Sequence, residues 1–247
     1  MKSIVCVKRV PDTEAKIVIK GTGIEKSGFD YVINPYDEYA IEQAVQVKEK
    51  DGGEVAILSI GPKETATQIR KALSVGADKA VLLTCDSEGL DSSATAEMLA
   101  NEIKNMEFDM IFFGKQAVDG DNGSVGVQVA QKLGLPVVAK IVAFELNGTT
   151  ATVTREIEGA KEVIEVMLPA VFTAEKGLNE PRYPKLPDIM KAKKKPLEEK
   201  EIAAVESKTT VVKMEYPPSR PAGRIVGNGV EAVSELVKLL KEEAKVV

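Results

Sequence analysis

The sequence predicts an α/β fold, doubly wound around a mainly parallel sheet, with an antiparallel meander and a C-terminal arm that ends in a helix. Three observations carry this. Strand-like and helix-like segments alternate from Ile4 to Phe113. The strand-like segments are continuous apolar runs rather than alternating ones, as strands covered on both faces require. After Gly134-Leu135-Pro136 the rhythm changes to short alternating runs separated by turn residues.

Ile4 to Lys8 (IVCVK) is an apolar run bounded by Pro11, which reads as a buried strand. Asn34-Pro35 makes a turn, and Asp37 is placed to cap a helix with Ala40, Ile41, Ala44, Val45 and Val47 on its apolar face, ending near Gly52-Gly53. Val55 to Ile60 is the next strand. Gly61-Pro62 leads from it into a helix with Ile69, Ala72, Leu73 and Val75 on one side, stopped by Gly76. Lys79 to Cys85 is a strand, a helix runs from Asp91 or Ser92 through Met98, Leu99 and Ile103, and Met110 to Phe113 is a further strand. Ala143 to Glu145, Thr150 to Glu156 and Val163 to Leu168 form the meander, turned by Asn147-Gly148 and Glu158-Gly159, with Glu165 to Thr173 completing it. Pro181, Pro184 and Pro187 make Glu180 to Pro187 a stiff extended segment. Lys200 to Val212 alternates weakly, and Pro217, Pro218 and Pro221 mark an arm. Val230 to Lys245 is an amphipathic helix whose stripe Val230, Val233, Leu236, Val237, Leu240 and Ala244 packs on its own core or on a partner. Residues 1–190 are thus expected as one α/β domain and 191–247 as arm and helix.

Composition removes several function classes. The chain has 247 residues, and at that length roughly 70 to 75% of its extended surface can be buried without staples. Cys6 and Cys85 make no C-x-x-C pair and sit in apolar runs, which suits reduced cysteines in a cytoplasmic protein. No run approaches the ~18 apolar residues of a membrane span, and Pro11 and Asp12 interrupt any signal-peptide pattern, so no membrane insertion is expected. A net charge of -5 with 4% aromatic residues argues against nucleic-acid binding. The absence of histidine takes away the commonest general base and metal ligand, so no metal site and no catalytic triad are expected.

In parallel sheets ligands bind beyond the carboxyl ends of the strands, which places Cys6 to Val10, Ile60 to Pro62 and Gly114 to Gly126 on one rim. Asn34 to Asp37 join it if the excursion from Pro11 to Val32 folds back. The loop Gly114, Lys115, Gln116, Ala117, Val118, Asp119, Gly120, Asp121, Asn122, Gly123, Ser124, Val125 and Gly126 runs from a buried strand into a helix that begins near Ser124. Its amides and the helix N-terminus suit phosphate, and Asp119 and Asp121 suit ribose hydroxyls or capping; a plain glycine-rich turn is the other reading. Gly227 to Ala232 formally matches G-x-G-x-x-G/A, but too little chain follows for a βαβ unit. Lys191, Lys193, Lys194 and Lys195 read either as a solvated helix end or as steering for an acidic partner.

Leu178-Asn179-Glu180-Pro181-Arg182-Tyr183 followed by Leu186-Pro187-Asp188-Ile189-Met190-Lys191-Ala192-Lys193-Lys194-Lys195 resembles the signature of the electron transfer flavoprotein beta subunit. Val5 to Val10, Asn34-Pro35-Tyr36, Gly114-Lys115-Gln116-Ala117 and Pro217 to Gly223 are similar to the same family. The resemblance spans the whole chain. It implies an adenine nucleotide alpha hydrolase-like fold and a heterodimer with an alpha subunit that holds most of an FAD, this subunit supplying a shelf beneath it and binding AMP. No side chain here would act as a catalyst; the chain would be a carrier subunit, passing electrons between flavoprotein dehydrogenases, such as acyl-CoA dehydrogenase, and a membrane quinone oxidoreductase. The nucleotide contacts implied are Cys6, Asn34, Pro35, Tyr36, Asp37, Ile60 and the loop from Gly114 to Val125, with Tyr36 near the flavin. Leu178 corresponds to the anchor leucine of a partner-recognition loop, 174–187, with Asn179, Glu180, Pro181, Arg182 and Tyr183 around it. The arm and last helix would pack on the alpha subunit. Many members have Asp-Leu-Arg before the anchor, where this chain has Glu175-Lys176-Gly177. Asp37 and the Asp-Gly-Asp loop look closer to members in which a second FAD replaces AMP and electrons are bifurcated from NADH.

Overall fold

A computed structural model describes residues 1–219 and 222–247; Arg220 and Pro221 of the arm motif lie outside the described residues. The described chain divides into two compact units, Met1–Val212 and Lys213–Val247.

The first unit is built on β1 (Lys2–Cys6), β2 (Arg9–Pro11), β3 (Ile19–Lys20), β4 (Gly23–Ile24), β5 (Tyr31–Ile33), α1 (Pro35–Asp51), β6 (Glu54–Gly61), α2 (Ala66–Ser74), β7 (Lys79–Thr84), α3 (Ser92–Ile103), β8 (Met110–Gly114), α4 (Val125–Leu133), β9 (Val137–Asn147), β10 (Thr150–Ile157), β11 (Ala160–Met167), β12 (Ala170–Ala174), α5 (Leu186–Ala192) and β13 (Leu197–Glu201). Nine strands form one sheet in the order β11-β10-β9-β12-β8-β1-β6-β7-β13. Pairing is parallel from β9 through β13, and antiparallel where β10 meets β9 and β11.

Successive residues of a strand face opposite sides, and the core divides accordingly. Val5, Ile57, Leu82, Phe112 and Phe172 pack with Ile41 of α1 and Leu73 of α2. Ile4, Leu58, Leu83, Ile111 and Val171 pack with Leu99 of α3 and Val129 of α4. Both faces are therefore covered, and that is why the strands read as unbroken apolar runs. Phe112, Phe144 and Phe172 lie with ring centroids 5.2 to 5.6 Å apart, joining the meander to the first of these cores.

Four details differ from the sequence expectation. β12 does not complete the meander; it inserts between β8 and β9, parallel to both, and its five residues are all buried. Residues 197–201, expected in the arm, form β13 at the sheet edge beside β7. Their sequence, LEEKE, carries the charges that keep an exposed edge from pairing further. Pro187 does not extend the stiff segment, because it stands in the first turn of α5, where its missing N–H costs nothing. Asp37 is not the N-cap of α1; Asn34 holds that position and Asp37 is buried in the first turn.

In the second unit, a 3-10 turn at Val230–Ala232 leads into α6 (Val233–Glu242), none of whose residues is buried. Arg224 pairs with Glu243 at 2.7 Å, both well exposed, a contact of small energy. Gly227 and Gly229 precede this turn, and among the described residues of that unit no strand comes before them to make a βαβ motif.

Candidate functional site

The excursion from Pro11 to Val32 does fold back: β2 and β5 pair antiparallel, with Arg9 opposite Ile33. This brings Asn34 to Asp37 against the loop after β8, and Asp37 is the knot. Its Oδ2 accepts the Lys8 N–H at 2.7 Å; its Oδ1 accepts the Asn34 side-chain amide at 2.8 Å and the Gly114 N–H at 3.1 Å. Burial pushes the Asp37 carboxyl up to about 7, against the opposing pull of Asn34 and of the Lys8 and Gly114 amides. Gly114 has to be glycine: a Cβ there would meet Asp37 Oδ1 and lie 2.6 Å from the Tyr36 carbonyl carbon.

Asn34, itself buried, holds the loop from the other side. Its amide donates to the Gln116 carbonyl at 2.9 Å and its Oδ1 accepts the Val118 N–H at 3.1 Å. Both loop aspartates are engaged. Asp119 pairs with Lys8 Nζ at 2.7 Å, and Asp121, at φ 51, accepts from Gln116 Nε2 at 2.7 Å. Gly120 and Asp121 donate backbone N–H groups to the Ala117 carbonyl, forming a tight turn.

Beyond that turn the loop leaves donors open. Asp91 caps α3 by accepting the Ala94 N–H at 2.7 Å, but Ser124 at the N-cap of α4 makes no such bond, its hydroxyl accepting from Gln128 Nε2 instead. The first turn of α4 therefore begins without a side-chain cap, directly after Gly123, whose φ is 58. Backbone donors and a helix dipole are the features an anion requires; of the two loop acids, Asp119 is paired with a cation, while Asp121 is held by a neutral amide.

The predicted rim residues are not all alike. Cys6 is 5% exposed and its thiol lies within the second core, where burial and then Asp37 push it well above the usual thiol range. Ile60 is partly buried on the same core. Tyr36 lies under Lys115, whose Nζ is 4.5 Å from the ring centroid. Among the described residues no group of three His, Cys, Asp or Glu side chains is placed to hold a metal.

The second predicted site is a brace on α1. Arg182 reaches Glu42 through Nε at 2.8 Å and Glu49 through NH1 at 2.5 Å, forked on both carboxylates. Burial pushes the Glu42 carboxyl up but Arg182 and Gln46 outweigh it, so it sits below its ordinary range. Asn179 donates to the Tyr39 carbonyl at 3.0 Å. Glu180 and Tyr183 face solvent. Leu178 is not a freely exposed tip: the turn that donates its N–H to the Glu175 carbonyl at 3.3 Å folds it partly onto the first core. Tyr183, Leu186 and Met190 are the more exposed apolar side chains nearby.

Lys195, expected with the solvated lysines, instead donates to the Leu73 and Ala77 carbonyls at 2.8 and 2.5 Å at the end of α2, and burial lowers its pKa. Arg70 returns the contact by donating to the Ala192 and Lys195 carbonyls. Sequence reasoning missed both. No local signal marked them, since the Lys195 ammonium lies 122 and 118 positions from the carbonyls it meets.

Comparison with known proteins adds an independent finding. The family described as "Electron transfer flavoprotein domain" matches residues 22–205. The chain is 43% identical to the electron transfer flavoprotein subunit beta of Bacillus subtilis (strain 168), over the full length of both. It is 37% identical to the corresponding subunit of Mus musculus, covering 100% of this chain and 99% of that one. It is also 36% identical to the "Caffeyl-CoA reductase-Etf complex subunit CarD" of Acetobacterium woodii, over 98% of this chain and 99% of the relative.

Proposed function

Because this chain belongs to the electron transfer flavoprotein family, as a beta subunit, we propose that it works in a heterodimer as a carrier of electrons between flavoprotein dehydrogenases and a membrane quinone oxidoreductase. In this reading the alpha subunit is its permanent partner, AMP occupies the loop at Gly114 to Val125, and the same rim supports the alpha subunit's FAD. The observation that carries the nucleotide assignment is the uncapped start of α4 beside a loop whose Asp119 is paired with Lys8 and whose Asp121 is held by Gln116.

The residues divide the work by chemistry. The amides at Gly123 to Val125 would take the phosphate, Asn34 and Asp37 hold the loop in shape, and Tyr36 offers an aromatic face. Bound FAD supplies the electron-accepting ring, since this chain has no redox-active group of its own beyond two free cysteines. The chain contributes position and shielding, not bond making, and Leu178 with the Arg182 brace would meet the dehydrogenase.

A second reading follows from the 36% identity to a subunit named for a caffeyl-CoA reductase-Etf complex and from the aspartate at position 37. It places a second FAD where AMP would sit and makes the complex a bifurcating enzyme that oxidises NADH. Extraction and counting of nucleotides from the purified complex separates the two. One FAD and one AMP per heterodimer is the expected result; two FAD without AMP would sink the simple carrier.

A further inference from the structure

Lys115 and Glu175 are 60 positions apart in the sequence and meet at 2.8 Å, each side chain 19% exposed. Removing one partner of a pair this shielded costs more than breaking a solvated one, because the other charge is left unpaired. Lys115 lies in the glycine loop, directly after the close contact of Gly114 with α1, and its Nζ also rests over the Tyr36 ring at 4.5 Å. Glu175 opens the turn that carries Leu178. Its Oε1 accepts the Lys176 N–H at 2.9 Å, and its carbonyl accepts the Leu178 N–H at 3.3 Å. Backbone contact doubles the link, because the Lys115 N–H donates to the Ala174 carbonyl at 2.9 Å. Gly177, at φ 100, allows the chain to double back so tightly; a side chain there would be strained.

We propose that the Lys115–Glu175 pair is a strut between the nucleotide rim and the Leu178 turn, so that each holds the other in place and a change at one is felt at the other. Both are positioning residues. The carboxylate at 175 fixes the start of the turn, and the ammonium at 115 ties that turn to Tyr36 and the glycine loop. The functional meaning of the strut rests on the assignment of those two regions above, but its existence does not. Coupling of this kind is reciprocal: what loosens the turn loosens the loop.

The test uses the complex with the alpha subunit and reads amide hydrogen exchange at Lys115, Lys176 and Leu178. Glu175→Gln and Lys115→Met are each expected to speed exchange at both ends roughly fivefold, as the loss of one charge-assisted contact implies. The double variant is expected to exchange no faster than the faster single, since both remove the same contact. Glu175→Asp, which keeps the charge, is expected to stay close to wild type. Faster exchange confined to the segment carrying the substitution, or a double variant whose effect is the product of the singles, would overturn the strut. Nucleotide content of the same samples keeps the two ideas apart. A wild-type complex without nucleotide removes the assigned function while the exchange still decides the strut; a loaded complex with independent ends does the reverse.

Discussion

The rim around Asp37 and the brace around Arg182 both hang on α1, and they solve opposite problems. At the rim a single buried carboxylate accepts from three donors and, among the described residues, no cationic side chain bonds to it directly, while the start of α4 has no side-chain cap. At the brace two carboxylates share one guanidinium and take four of its five N–H groups. Uncapped donors are what a small anion would need. Saturated charges mark a place that is held stiff so that something beside it can be presented. The difference teaches that charge alone does not identify a binding site; what matters is which groups remain unpaired after folding.

The comparison can be broken most directly at Asp37. Asp37→Ala orphans the Lys8 and Gly114 N–H groups and takes one of the two acceptors of the Asn34 amide, and is expected to cost about 3 kcal/mol or more in urea unfolding, with the nucleotide lost from the purified complex. Arg182→Met leaves Glu42, itself 5% exposed, without its cation. Because the guanidinium is partly solvated the expected loss is smaller, about 2 kcal/mol, and nucleotide content is expected to be unchanged. An equal loss of nucleotide in both variants would erase the distinction between the regions.

Acid and alkali are expected to act on the two regions in opposite senses. The folded state raises Asp37 from its ordinary 3.8 to about 7, so its protonated form favours folding; that contribution is complete below 3.8 and is lost as the pH rises through about 7. Glu42 is lowered, so its contribution is present above the ordinary carboxylate value and is lost as the pH falls through the depressed one. Urea midpoints between pH 5 and 8 should therefore decline toward the alkaline end in wild type and flatten in Asp37→Asn. A wild-type profile with no such decline would show that the three donors outweigh burial. The smallest contrast lies in the lysine run. Lys195→Ala, which uncovers the Leu73 carbonyl of α2 and the Ala77 carbonyl beyond it, is expected to cost about 1 kcal/mol, and Lys193→Ala or Lys194→Ala less than about 0.5 kcal/mol.

The central strands were legible because burial on both faces leaves an unbroken apolar run, and Val55 to Ile60 and Met110 to Phe113 fall inside β6 and β8. The cap of α3 at Asp91 was legible because capping is local. β12 was visible as an apolar run, but its place was not: its partner in β8 is about sixty residues earlier, and no local pattern encodes that pairing. β13 was hidden by its charges, which answer to its position at an edge and not to strand propensity. The glycine loop could be placed on the rim from strand direction alone. The role of Asp37 could not, since the donors that bury it come from Lys8 and from Gly114, 77 residues away.

The insertion of β12 also sets an order of assembly. Strands β9, β10 and β11 pair only with one another and with β12, while β8, β1, β6 and β7 form the other side of the sheet. The meander's contacts are close in sequence and form fast, whereas the union of the two halves waits for residues 170–174 to leave the ribosome and close a long loop. Until then each half carries a bare edge on the same future seam, and these are the surfaces a chaperone would guard while the chain is being made.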